Sequence, residues 1–120
     1  MGRARSHTLT AVTNGSGAVT AKSPRLTGTV HSIQYAKTDY ADTVDFAITA
    51  ADRGETIWTE ENVTASKTVH PRATVNDTAG TVIGDVYSDV VLTDEQVQIA
   101  VTNGGDAKTG VFTVVVIEYG

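Results

Sequence analysis

Three histidines and fourteen carboxylates are the residues with which this 120-residue chain could do chemistry. His7, His31 and His70 are spread over more than half of the chain, and a histidine-only zinc site needs about three ligands brought together. Their spacing offers no such motif, so they read as strand or surface histidines. Asp39, Asp42 and Asp45 fall three residues apart in DYADTVD. A calcium loop of the EF-hand kind wants oxygens at alternate positions, a central glycine and a terminal glutamate. That pattern is not met, and the segment reads as a solvated strand connection, a converging loop site for calcium being the less favoured alternative. Asp85 and Asp89 flank another turn and read the same way, and Asp94-Glu95 reads as a solvated pair. No G-x-S-x-G elbow, H-E-x-x-H helix or phosphate-binding loop is present, and no serine stands in an activating context. The chain has no cysteine, which excludes disulfides, thiolate metal sites and cysteine nucleophiles. The sequence therefore predicts no enzyme, no cofactor and no metal.

Binding residues are the remaining candidates. Trp58 is the single tryptophan. If Ile57 faces inward on its strand, Trp58 faces out and would offer a sugar platform or a protein contact. The opposite register buries it, and that register is the favoured one. Arg3 and Arg5 lie in a segment without periodic pattern, residues 1–6, which reads as a flexible N-terminal arm. It could also order against an acidic neighbour through charge-assisted contacts. A net charge of −5 argues against a nucleic-acid surface. No apolar run approaches the roughly 20 residues that cross a bilayer, and no apolar stretch follows the arginines as in a secretory signal. These features predict a soluble protein made in the cytoplasm. Three N-x-[ST] matches (Asn14, Asn62 and Asn76) are what abundant threonine yields by chance.

The elements that must position these residues are strands. Twenty Thr and 17 Val stand against 3 Leu and 1 Met, and β-branched residues fit a pleated surface better than a helix. Alternation places strands at 7–13, 18–22, 28–37, 43–50, 56–60, 63–70 and 96–102, with glycine, proline and aspartate turns between them. Ile33 and Tyr35 share one face, while Phe46 with Ile48, and Val97 with Ile99 and Val101, face inward. Residues 72–80 read as a polar loop and 81–92 as two short apolar pieces around Gly84-Asp85. One helical turn is predicted at Thr93–Gln96. The last strand, 111–118, is apolar on both faces and should lie centrally, covered on both sides. AVTNG occurs at 11–15 and again at 100–104, which two identical turn solutions explain without a duplication. The chain thus reads as all-β, with residues 7–120 forming a single two-sheet β-sandwich, jelly-roll-like, of about eight short strands.

The stretch VDFAITAADRGETIWTEENVTASKTVHPR (44–72), DTAG at 77–80 and the late VQIAVTNGGDAKTGVFTV together resemble small virion proteins of tailed bacteriophages, of the capsid decoration or cement type. The resemblance covers about residues 28–116 in several short patches. It implies a β-rich, non-enzymatic protein on the outside of a capsid, assembled in the host cytoplasm. It also implies the major capsid protein as partner, and a homo-oligomer, dimer or trimer, with no nucleic acid and no membrane bound. The expected contacts are the Arg3/Arg5 arm, Trp58, the loop at His70–Arg72, and the 103–110 hairpin loop with Asp106 and Lys108. Two other classes compete: another phage part such as a tail, neck or fibre-base module, and a β-sandwich carbohydrate-binding module built on Trp58.

Overall fold

The computed structural model describes residues 2–119, which form ten strands. They are β1 (Gly2–Val12), β2 (Val19–Lys22), β3 (Leu26–Lys37), β4 (Asp45–Ala50), β5 (Thr56–Glu60), β6 (Lys67–Val69), β7 (Arg72–Asn76), β8 (Val82–Glu95), β9 (Val97–Thr102) and β10 (Thr109–Tyr119). One sheet has the order β1-β10-β3-β8-β7, with β6 beside β3, and the other the order β2-β9-β4-β5. All pairs are antiparallel. With β6 and β7 set aside, β1 pairs with β10, β2 with β9, β3 with β8, and β4 with β5. This is one long antiparallel ribbon wound into two sheets, the jelly-roll arrangement. The strands β6 and β7 are an insertion between its fifth and sixth strands.

The ribbon explains the repeated AVTNG. Both copies are corners of the same rung, where the β1–β2 turn meets the β9–β10 turn. Gly104 N donates to Gly17 O at 2.9 Å, and Thr13 N to Lys108 O at 2.8 Å. The Asn14 carboxamide oxygen accepts the Ser16 and Ala18 amides and so holds the first corner.

Between the sheets lies an aromatic centre. The Tyr35, Phe46 and Phe112 rings meet pairwise at 5.2 Å, and Trp58 packs edge-on to Phe46 at 4.8 Å. Aliphatic residues surround it, among them Ile33, Ile48, Val97, Ile99 and Val114. The shared face at 33/35 and the inward faces at 46/48 and 97/99/101 are as the alternation predicts.

Several expectations are corrected. Residues 2–6, read as a flexible arm, form the first half of β1 and pair with β10 from Tyr119 to Val115. Residues 72–76, read as loop, are β7. The pieces at 81–92 and the helical turn at 93–96 are replaced by one 14-residue strand, β8. Glu95, read as solvated, is buried, and its carboxylate accepts the amides of Asp52 and Arg53 at 2.7 and 3.2 Å. It closes the β4–β5 turn from the opposite sheet, a job that a tertiary contact alone reveals. Of 63–70, only Lys67–Val69 is strand. Strand β10 is central but covered on one face: Phe112, Val114 and Val116 are buried, while Val111, Val115 and Ile117 remain half-buried.

Candidate functional site

The site begins at a fork in β3. Its first half pairs with β8, ending at Val30↔Val90, and its second half pairs with β6, starting at Ile33↔Val69. His31 falls at the change of partner. It is also the extra residue of a bulge opposite β10, where Val30 faces Val116 and Ser32 faces Val115. A one-residue bulge switches which side chains point inward. Leu26 and Val30 are buried before it, and Ile33 and Tyr35 after it.

Because β6 occupies the edge of β3 beyond His31, the far half of β8 has no place in the sheet. It runs on as a hairpin with β7, pairing Arg72↔Asp89, Ala73↔Ser88 and Thr74↔Tyr87, then Val75↔Ile83 and Asn76↔Val82. Gly84, Asp85 and Val86 loop out between these two stretches, with Asp85 at φ 61°. The tip is a tight turn in which the Asp77 carboxylate accepts the amides of Ala79 and Thr81 at 2.9 and 3.0 Å. At the root, the His31 and His70 rings meet edge-to-face at 5.4 Å, and Arg72 Nη1 donates to Asp89 Oδ1 at 2.6 Å. Pro71, buried between β6 and β7, fixes the departure angle.

This hairpin is apolar where water should favour polar residues. Among the described residues six large apolar side chains are exposed, and five belong to β8: Val82, Ile83, Val86, Tyr87 and Val91, from 40% (Ile83) to 60% (Tyr87) exposed. The sixth is Val12, at the end of β1. Exposed apolar side chains gathered on one strand are a feature that docking surfaces share. Chemically, the hairpin can supply buried area and backbone pairing.

A concavity of about 620 Å³ lies on the four-stranded sheet, lined by Ala47, Ala100 and Thr59 and by the carboxylates Asp45, Glu60 and Glu61. Two of these carboxylates are already held within the chain. Asp45 accepts the Asn62 amide and the Asn103 carboxamide at 2.9 and 2.8 Å. Glu60 accepts Lys67 Nζ at 2.7 Å and Trp58 Nε1 at 3.2 Å. Those two donors, Lys67 first, hold the Glu60 carboxyl below its usual range. A carboxyl lowered in the folded state contributes stability that is present above its unfolded value, about 4.3, and is lost as pH falls through the folded value. Glu60→Gln is therefore expected to lower the urea midpoint near pH 7 and to narrow its gap to wild type at about pH 3. An equal gap at both values would contradict this role for Glu60.

The residues singled out from sequence do not form one site. Arg3 and Arg5 lie at one end of β1, where Arg5 Nε is 3.8 Å from Glu118 Oε1 and His7 Nε2 is 3.2 Å from Glu118 Oε2. Asp106 and Lys108 sit in the β9–β10 turn beyond the other end of that 11-residue strand. His70 and Arg72 do come together, at the root of the hairpin. Trp58 is 8% exposed, packed on Phe46, and offers no platform to a ligand. It is buried together with Ile57 because Ile57 is the bulged residue of β5, which lets the two consecutive side chains Ile57 and Trp58 both point inward. Asp39, Asp42 and Asp45 each go to a different partner: the Thr109 amide, Lys37, and the Asn62/Asn103 pair. Among the described residues no three histidine or carboxylate side chains converge as metal ligands would. Sequence reasoning missed Val82, Ile83, Val86 and Tyr87. Their signal was apolar residues at both odd and even positions around Gly84-Asp85, which also describes a buried strand.

No protein-family model matches this chain, and no curated protein is similar enough in sequence to count as a relative.

Proposed function

We propose that this chain is a non-enzymatic bacteriophage structural protein that binds the capsid exterior and stabilises contacts between major capsid protein subunits. The observation that supports this reading is the β7–β8 hairpin, whose exposed apolar side chains offer area that a protein neighbour would cover. The patches at 44–72, 77–80 and 97–114 that resemble virion decoration proteins supply the class of neighbour. The mechanism is additive. Each copy buries apolar surface across a seam, at about 25 cal/mol per Å² removed from water, and a lattice of sites adds avidity. The jelly roll acts as the rigid mount, with its contacts concentrated on an insertion that can vary without disturbing the core.

Co-sedimentation with capsids lacking the protein tests this. Saturable binding at a fixed ratio to the major capsid protein, with a raised capsid disruption temperature, is the expected result. Absence of binding to capsids, with the protein instead recovered in tails, would overturn it.

A further inference from the structure

We propose that the β7–β8 hairpin of one copy docks along β1 of a second copy, joining the two ends of the six-stranded sheet between neighbours. The inference rests on the decoration reading and gives the hairpin, beside the capsid surface, a second neighbour: another copy of this chain.

The two elements are complementary in three respects. First, they are the two outer strands of the same sheet, β1 at one end of its order and β7 at the other. A strand at a sheet edge presents backbone N–H and C=O groups that an extended partner satisfies. β1 is 11 residues long and pairs with β10 in unbroken register, without the bulge or proline that commonly blunts an edge. Second, the exposed large apolar side chains among the described residues are four on the hairpin (Val82, Ile83, Val86 and Tyr87), Val91 on β8 just beyond its root, and Val12 on β1. Third, their charges are opposite. β1 carries Arg3, Arg5 and no carboxylate. The segment 72–91 carries Arg72 against Asp77, Asp85 and Asp89; Arg72 offsets Asp89 and Asp77 holds its own turn, as Glu118 stands beside Arg5, so the complementarity is carried mainly by Arg3 and Asp85.

Hairpin against β1 pairs unlike charge, which favours that encounter. A head-to-tail contact of this kind closes into a ring when its rotation allows, as copies gathered around a symmetry axis require.

The absence of cysteine makes the test direct. Val12→Cys and Ile83→Cys each introduce one thiol at an exposed position, with Tyr87→Cys as a second hairpin probe. Each variant is treated with a short thiol-reactive cross-linker, alone and mixed, in solution and on capsids. The expected result is a covalent dimer from the mixture and none from either variant alone. Cross-linking of one variant to itself would overturn the head-to-tail contact. No cross-link in solution or on capsids, with capsid co-sedimentation intact, would overturn the second copy as occupant and leave the decoration reading standing. Cross-links from the mixture without capsid binding would support the second copy and remove the decoration reading.

Discussion

Gly28→Ala is expected to cost the fold about 3 kcal/mol or more, a large share of the 5–15 kcal/mol that holds a domain of this size folded. Gly28 lies on β3 opposite Glu118 of β10, at φ 151°. A Cβ added there would stand 2.1 Å from the Ile117 carbonyl oxygen and 2.9 Å from its carbon. These are backbone atoms in the middle of a sheet, so relief requires separating β3 from β10. Gly84→Ala is the control, because a Cβ there meets nothing within 4 Å. Its cost should stay within about 0.5 kcal/mol. Urea midpoints followed by far-UV circular dichroism separate the two, and equal midpoints would contradict the close approach at Gly28.

Phe112→Ala should be comparably severe, about 3–5 kcal/mol. The ring is fully buried and touches both Tyr35 and Phe46 at 5.2 Å. It stands where the two sheets meet, and the cavity left by its removal cannot collapse without shifting β10 against β4. Tyr87→Ala removes an aromatic ring that is 60% exposed and is expected to change stability by no more than about 0.5 kcal/mol. The pair separates two uses of aromatic area, one holding the fold and one presented to a neighbour. A Tyr87→Ala loss as large as that of Phe112→Ala would show that the hairpin serves the core.

The core was legible because alternation survives wherever one face of a strand is buried, as at Phe46/Ile48 and Val97/Ile99/Val101. It failed at bulges. Trp58 could not be placed by period two because Ile57 is an extra residue, and His31 is invisible for the same reason. β7 was lost to its composition: RATVN alternates exposed polar residues with only a partly buried Ala73 and Val75, too weak an apolar face to read as a strand. The first half of β1 was missed similarly, since GRARS owes its β conformation to the β10 backbone and not to its own side chains. Glu95 looked solvated because no local pattern announces a carboxylate that caps a turn in the other sheet. The exposed apolar surface of the hairpin was the hardest to see. Apolar residues on both faces of β8 predict burial, and what distinguishes burial from display is the competition of β6 for the edge of β3, a contact formed between segments more than 30 residues apart.

Capsid binding by a hairpin variant tests the central claim most directly. Val82→Ser, Ile83→Ser and Tyr87→Ser combined alter exposed side chains, so circular dichroism and the urea midpoint should remain near wild type. Measured by co-sedimentation across a concentration series, this variant is expected to bind capsids at least tenfold more weakly than wild type, a loss of about 1.4 kcal/mol or more. Binding indistinguishable from wild type, by a variant that is folded, would contradict the assignment of the hairpin as the docking arm.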